Sequence, residues 1–284
     1  MFKTILLATD GSPYAQGAML YTGWFAERLG ANVKILFVQD RRLLEGPLRM
    51  SYQILPGGIP GGTPSTRFIE DLRAELQRTG DSVLAETKTR LEKRAGDIKT
   101  VNEAGIVDET ILTHSRTCDI VVMGAKGQHS EFTRTTLGST TDRVIRRTVA
   151  PVLVCPDSFK PVERAMVAYD QSVAANKALH IACDLAHQMG LELIIINVVE
   201  KGELNESSQL LAEAADLASS HEIKFSTIAR EGPPEEQILE AMEQQGAQLL
   251  MMGLRARRRI VELFLGSTAT HILNKAMYPV LVVS

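Results

Sequence analysis

Short apolar runs alternate with longer amphipathic stretches along the whole chain. In the first half, runs rich in β-branched residues predict five strands, near residues 3–9, 32–38, 98–103, 119–123 and 151–155. The stretches between them have the length and the apolar spacing that are typical of helices. This alternation favours a parallel sheet with helices on both faces, and so an α/β fold.

Capping residues mark the helix boundaries in both halves. Ser12 is predicted as an N-cap, with Pro13 at the first helical position and Gly30 as the C-terminal stop. Ser172 and Gly190 repeat this start and stop in the second half. The local signals therefore agree with the apolar pattern on where these two helices begin and end.

The chain repeats itself once. Near the start of each half, KTILLATDGS at 3–12 matches RAMVAYDQS at 164–172, and NVKILFVQD at 32–40 matches ELIIINVVE at 192–200. Later, EAGIVDETIL at 103–112 matches REGPPEEQIL at 230–239, DIVVMG at 119–124 matches QLLMMG at 248–253, and LGSTTDRVIRRTVAPVLV matches LGSTATHILNKAMYPVLV. Five matching blocks in the same order indicate two homologous domains.

We predict the two domains at 1–158 and 159–284, each a doubly wound domain with a five-stranded parallel sheet and helices on both faces. The offset between matching blocks falls by about 33 residues after the second strand, so the first domain carries an insertion at about 41–73. The link between the domains, SFKPVE, is short, and we expect the domains to pack against each other.

Composition excludes several classes of function. The 284 residues include 31 Lys and Arg against 34 Asp and Glu, a formal net charge of −3, which gives no field to hold nucleic acid or an anionic membrane. No apolar stretch approaches the roughly 18 residues of a membrane span, and the first apolar run meets Asp10 too early for a signal peptide. We therefore expect a soluble, cytoplasmic protein.

The cysteines and histidines suggest neither a disulfide framework nor a metal site. Cys118, Cys155 and Cys183 are odd in number and lack CxxC spacing, and the six histidines form no HExxH motif. We predict all three cysteines to be small buried hydrophobic residues.

A glycine-punctuated loop carries the candidate chemistry of the first half. It reads GAKGQHSEFTRTTLGST, follows the fourth strand, and contains Gly124, Gly127 and Gly138 before Ser139 at a helix start. Glycine permits positive φ and leaves backbone N–H groups uncovered, so such a loop can wrap phosphate oxygens at the positive end of the helix. Lys126 also lies in this loop.

Two strand ends complete this candidate site, because ligands of doubly wound sheets bind beyond the carboxyl ends of the strands. Asp10 ends the first strand and is predicted to contact a ribose hydroxyl or Mg²⁺, and Val38 ends the second and is predicted to face an adenine ring. The alternative role for Asp10 is to cap a nearby helix. The equivalent residues of the second half are Asp170, Val198, Gly253, Arg255, Gly266 and Ser267.

Together these motifs resemble the universal stress protein family, and its tandem members in particular, over the whole chain apart from the insertion. The nucleotide-binding branch of that family carries G-x2-G-x9-G-[ST] after the fourth strand and an Asp at the end of the first. The resemblance implies ATP as the ligand, with or without Mg²⁺. It also implies pairing through the last strands, APVLVCP and YPVLVVS, within one chain, and leaves dimerisation of whole chains open.

Both halves depart from the family pattern. The first has ten residues, 128–137, between its last two glycines, and the second has Ala256 in place of the second glycine. An extra loop residue costs little in closure entropy, whereas alanine costs roughly 1 kcal/mol or more if the position needs positive φ. We therefore expect the first site to be the better preserved.

Three features each leave more than one interpretation. Arg255 and the arginines at 257–259 either pair with a triphosphate or form a solvated face. Lys126 and His129 either touch phosphates or are simply exposed. The glycines of PGGIPGGTP at 56–64 either let the insertion close as a lid or make it a flexible excursion or a subunit contact.

Three functions follow from these alternatives. The favoured one is a nucleotide-loaded stress or regulatory protein without rapid catalysis and without catalytic residues. The second is a slow ATPase of the adenine-nucleotide class, although the chain has no GxxxxGK[ST] loop. The third is an interaction scaffold in which both nucleotide sites have degenerated.

Overall fold

A computed structural model describes residues 2–43, 54–55, 59–60, 66–128, 137–200, 202, 204–254 and 265–284. In chain order the first half contains β1 (Thr4–Ala8), α1 (Pro13–Leu29), β2 (Asn32–Asp40), β3 (Ile54–Leu55), β4 (Ile59–Pro60), α2 (Thr66–Leu91), β5 (Ile98–Gly105), α3 (Val107–Ser115), β6 (Ile120–Gly124), α4 (Ser139–Arg147) and β7 (Val152–Cys155). The second half contains β8 (Arg164–Ala168), α5 (Val173–Met189), β9 (Glu192–Val199), α6 (Leu204–Ser219), β10 (Phe225–Glu231), α7 (Pro234–Gln245), β11 (Leu249–Gly253), α8 (Ser267–Lys275) and β12 (Val280–Val283).

Ten of these strands form one continuous sheet, in the order β10-β9-β8-β11-β12-β7-β6-β1-β2-β5. Within each half all neighbouring strands are parallel. The strand order reverses between β1 and β6 in the first half and between β8 and β11 in the second. The predicted doubly wound α/β fold is therefore confirmed, and each half has a switch point where a ligand crevice forms.

The two halves join edge to edge. Strands β7 and β12 pair antiparallel, with Val154 opposite Val280 and Val152 opposite Val282. A second contact joins the helices, because Arg28 of α1 donates from Nη1 to the carbonyl of Met189 at 3.0 Å. The last strand of each half is thus covered by its counterpart, which removes two exposed sheet edges.

Apolar layers cover both faces of the sheet. Ile5 and Leu7 of β1 pack in the layer beneath α1, α2, α5 and α6, whereas Leu6 packs in the opposite layer beneath α3, α4, α7 and α8. All three side chains are fully buried. Burial on both faces explains why inner strands such as β1 read as continuous apolar runs without polar alternation.

The predicted caps of α1 and α5 are confirmed. The Ser12 and Ser172 hydroxyls accept from the amides three residues ahead, at 3.2 and 3.1 Å. Gly30 and Gly190 end these helices in the left-handed region, with φ of 61° and 67°. Both helices therefore start beside the carboxyl ends of β1 and β8, at the switch points.

We expect Ser172→Ala to lower the free energy of unfolding by about 1 kcal/mol, because the amide of Ala175 loses its capping acceptor. Chemical denaturation measures the effect. Ser208→Ala is the matched control, since that exposed hydroxyl only donates back to the carbonyl of Leu204 within α6. Equal effects of the two substitutions would contradict a capping role for Ser172.

The insertion is only partly described. Strands β3 and β4 form a short antiparallel pair, and α2 covers β2 and β5 with a polar contact from Gln39 Nε2 to Gln77 Oε1 at 2.7 Å. Gly57, Gly58, Gly61 and Gly62 lie outside the described residues, and so does the predicted lid.

The cysteines agree with the prediction at two of three positions. Cys155 and Cys183 are buried, whereas Cys118 is only half-buried, which corrects the prediction for that residue. Burial raises the pKa of the Cys183 thiol to about 11 and raises that of Cys155 as well. These two thiols are therefore protonated at neutral pH and behave as apolar side chains.

Candidate functional site

The second half contains a cleft of about 290 Å³ at the carboxyl ends of β8, β9 and β11. It lies at the switch point, with the N-terminus of α8 on one side. Apolar side chains form much of its wall, among them Ile196, Ile238 and Met252. Its size is at the lower end of the range for small-molecule sites.

Five predicted site residues of the second half line this cleft: Asp170, Val198, Gly253, Gly266 and Ser267. They come from three strands and one helix that are far apart in sequence, and the switch-point topology brings them together. Arg255 and residues 257–259, the predicted phosphate-binding arginines, lie outside the described residues, as do Ala256 and His129.

The N-terminus of α8 opens directly into the cleft. Gly266 is its N-cap, and no side chain caps the helix there. Among the residues that the structure describes, none has an atom within 4 Å of a β-carbon placed on Gly266, so these residues leave the space in front of the helix open. The first-turn amides, together with the helix dipole, make this end of the cleft favourable for an anion.

The acidic side of the cleft is formed by Asp170 and Tyr169. Asp170 Oδ1 accepts from the amide of Ser172 at 3.1 Å, and the Tyr169 hydroxyl donates to Asn176 Oδ1 at 2.9 Å. Burial, with smaller contributions from Glu213 and Asp170, raises the pKa of the Tyr169 hydroxyl. Tyr169 therefore stays protonated and acts as a donor at neutral pH.

Asn197 is a cleft residue that the sequence analysis missed. It is 3% exposed, and its Nδ2 donates to the Tyr169 carbonyl at 2.7 Å, while its Oδ1 has no hydrogen-bond partner in the described part of the chain. A polar residue in the otherwise apolar run LIIINVV was the available signal. A buried amide in such a run requires a specific partner.

The first half arranges its equivalent residues differently. Asp10 Oδ1 accepts from the amide of Ser12 at 3.0 Å, and Oδ2 accepts from the amide of Gln128 at 2.9 Å. The Gln128 side chain also donates from Nε2 to the Asp10 carbonyl at 2.6 Å. Gln128 is therefore tied to Asp10, and the Asp10 carboxylate contacts the amide of Ser12, the N-cap residue of α1, as Asp170 contacts that of Ser172.

Charged side chains occupy the neighbouring edge of the first half. Arg143 donates from Nη2 to Ser139 Oγ at 3.3 Å, and Arg42 pairs with Asp40 at 2.7 Å. Burial acts to raise the pKa of the Asp40 carboxyl, but the hydrogen bonds and charge of Arg42 outweigh it and lower the pKa. Lys126 is directed to Tyr14, with Nζ 5.6 Å from the ring centroid.

The glycines of the predicted loops do not use positive φ. Gly138 and Gly266 have φ of −66° and −61°, and Gly124, Gly127 and Gly253 also lie outside the positive range. The φ penalty at Ala256 is conditional on a positive φ there, and it stays a prediction because Ala256 lies outside the described residues.

Steric contacts explain two of these glycines. A β-carbon on Gly124 would lie 2.7 Å from Cβ of Tyr14, and one on Gly253 would overlap the peptide between Ala174 and Ala175. Glycine at the ends of β6 and β11 thus lets the first turns of α1 and α5 pack directly on the sheet.

Neither a metal cluster nor a membrane-spanning helix is found in the described part of the chain. No group of three or more His, Cys, Asp or Glu residues there has a geometry that could hold a metal ion. The helices described are too short or too polar to cross a bilayer.

The fold and the site define a tandem, doubly wound α/β protein with a ligand-sized cleft at a switch point. The chain belongs to the universal stress protein family, whose sequence model matches residues 1–156 and again 161–284. It is 29% identical over 289 residues to universal stress protein Slr1230 from Synechocystis, covering 98% of this chain and 99% of that protein.

Two further comparisons agree with this assignment. Universal stress protein MJ0577 from Methanocaldococcus jannaschii is 28% identical over 156 residues, which cover 54% of this chain and 94% of that protein. The crystal structure of a universal stress protein from Archaeoglobus fulgidus superposes with a TM-score of 0.77 at 24% identity, covering 100% of this chain and 99% of that chain. The last comparison supports the two-domain fold.

Proposed function

We propose that this universal stress protein is a nucleotide-loaded regulatory protein that binds ATP in the second-half cleft without rapid turnover. The observation that carries the proposal is the cleft itself, where an apolar wall, a carboxylate and an uncapped helix N-terminus meet at the switch point. We further propose that the boundary between the two domains lies between residues 158 and 159 and that the protein acts in the cytoplasm. Dimerisation of whole chains stays a prediction.

The cleft offers a place for each part of an adenine nucleotide. Val198 and Met252 provide apolar surface for the ring, and Asp170 provides an acceptor for ribose hydroxyls. Gly266 and Ser267 place the first amides of α8 toward the phosphates. The chain leading into α8, residues 255–264, carries the arginines predicted to pair with phosphate.

Mg²⁺ would accompany a triphosphate. Mg²⁺ prefers oxygen ligands and keeps several waters, and Asp170 is the carboxylate that lines the cleft. The residues therefore fit an ion held mainly by phosphate oxygens and water, with Asp170 as the protein ligand.

The lining supports storage of the nucleotide over its turnover. Among the lining residues that the structure describes, the ionisable side chains are Asp170 and Tyr169. Asp170 accepts from the Ser172 amide, and the raised pKa of Tyr169 makes it a poor base. Rapid hydrolysis needs a base positioned on the attacking water, and these residues do not supply one.

Against the expectation from the loop sequences, which favoured the first site, we assign the weaker site to the first half, where the alternative function as a scaffold has its best support. Nucleotide entry there competes with the two hydrogen bonds that Gln128 makes to Asp10. The proposed stoichiometry is therefore one nucleotide per chain.

Denaturing the purified protein should release adenine nucleotide at about one per chain, as identified by mass. For stripped protein, MgATP at about 100 times its dissociation constant should raise the melting temperature by about 5–10 °C, because it stabilises the native state by roughly 2.7 kcal/mol. GTP at the same concentration is the control. If no nucleotide is released and the melting temperature does not shift, the result contradicts nucleotide binding and favours the scaffold function. Many turnovers of ATP per minute would contradict the absence of rapid catalysis.

A further inference from the structure

A second cavity of about 270 Å³ lies between α1 and the C-terminal end of α2, in the first half. Met19 and Leu91 form its buried floor, and Leu20, which is 38% exposed, forms an apolar wall. Arg90 and Arg94 lie at its rim. We call this cavity the α1–α2 groove.

Gly23 brings the two sides of the groove together. It lies in the interior of α1, where glycine is a poor helix former compared with alanine. A β-carbon there would lie 3.0 Å from Leu91 Cδ2 and 3.1 Å from Arg94 Cδ. The absent side chain lets the stem of Arg94 lie against α1 and places its charged end at the apolar groove.

The two arginines differ in their partners. Arg90 pairs with Glu86 of its own helix at 2.8 Å. Within the described residues the guanidinium of Arg94 has neither a hydrogen bond nor an ion pair. A cation at an apolar groove, without an ion-pair partner among the described residues, is complementary to an anion with an apolar tail.

The second half lacks this combination. By the repeat, Leu217 and His221 of the second half stand where the first half has Arg90 and Arg94, and Cys183 replaces Gly23. His221 Nε2 already lies 3.7 Å from Asp184 Oδ1. The groove and its unpaired cation are thus a feature of the first half, separate from the proposed nucleotide cleft.

We infer that the α1–α2 groove binds a small carboxylate with an apolar tail, of the medium-chain fatty acid class. The tail lies against Leu20, Met19 and Leu91, and the carboxylate pairs with Arg94. This site goes beyond the proposed nucleotide function, and because it belongs to the other half, either proposal can fail while the other holds.

Octanoate titrated into the full chain tests the inference through Trp24, the single tryptophan, which lies next to Gly23 and four residues after Leu20. We expect a saturable change in its fluorescence, matched by heat in calorimetry. Octylammonium, with the same tail and the opposite charge, should bind at least about tenfold more weakly.

Arg94→Gln should weaken octanoate binding about tenfold or more, the loss expected for one charge-assisted hydrogen bond. Arg78→Gln in α2 is the matched control, because Arg78 pairs with Glu75 of the same helix and does not line the groove. Three results would each overturn the inference: neither signal with octanoate, equal binding of octylammonium, or unchanged affinity in Arg94→Gln.

Discussion

Gly17→Ala is expected to lower the free energy of unfolding by about 3 kcal/mol, a large effect for the addition of one methyl group. Gly17 lies in α1, where a β-carbon would overlap the carbonyl oxygen of Pro156 just after β7. Both partners are backbone, so relief requires α1 or the end of β7 to move. The gain of about 1 kcal/mol in helix propensity offsets only part of this cost.

Gly23→Ala in the same helix is the matched control. The atoms nearest to its β-carbon would be side-chain atoms of Leu91 and Arg94, at 3.0 and 3.1 Å, which need to shift by only a few tenths of an ångström. Chemical denaturation should therefore show little destabilisation for Gly23→Ala and a clear loss for Gly17→Ala. Similar stabilities for the two variants would show that α1 does not approach β7 as closely as the structure places it.

Much of the fold could be predicted from local signals. Ser12 and Gly30 bound α1 because a cap and a left-handed stop act within a few residues of the helix end. The repeat then carried the same boundaries to Ser172 and Gly190. Apolar strands such as β1 and β8 could be recognised because burial on both faces leaves no polar alternation.

The candidate site could be predicted in position but not in detail. Asp170, Val198 and Gly266 could be located because they follow strands or start a helix at the switch point. The contact of Gln128 with Asp10 could not, since it depends on how a loop packs over a distance of 118 residues along the chain. The role of the glycines was misjudged for the same reason, because sequence shows conformational freedom but not the approach of Tyr14 to Gly124.

The continuous sheet also links a nucleotide bound in the second half to the stability of the first half. Strand β11, which ends in the cleft at Gly253, pairs with β12, and β12 pairs with β7 of the other half. Ordering of the second-half cleft by a ligand therefore stabilises a strand that the first half shares. We expect the two halves to unfold as one cooperative unit when nucleotide is bound.

Gly266→Val is expected to weaken MgATP binding at least about 100-fold while leaving the fold intact. No atom of the described residues lies within 4 Å of the β-carbon, so the valine side chain would project into space that these residues leave open, and the φ of −61° suits any residue. That space is where the phosphates must approach the amides of α8. The stability cost should stay within about 1 kcal/mol, that of a poor N-cap.

Gly138→Val makes the same change at the equivalent position of the first half, where a β-carbon would lie 3.3 Å from the Ala125 carbonyl oxygen. Because the contacts of Gln128 with Asp10 already disfavour a ligand there, this variant should keep the single binding event seen by calorimetry. Loss of binding in Gly138→Val with full binding in Gly266→Val would move the nucleotide to the first half. Loss in both would mean that each half is loaded or that the two sites are coupled through β7 and β12, and the number of nucleotides released per wild-type chain separates these cases.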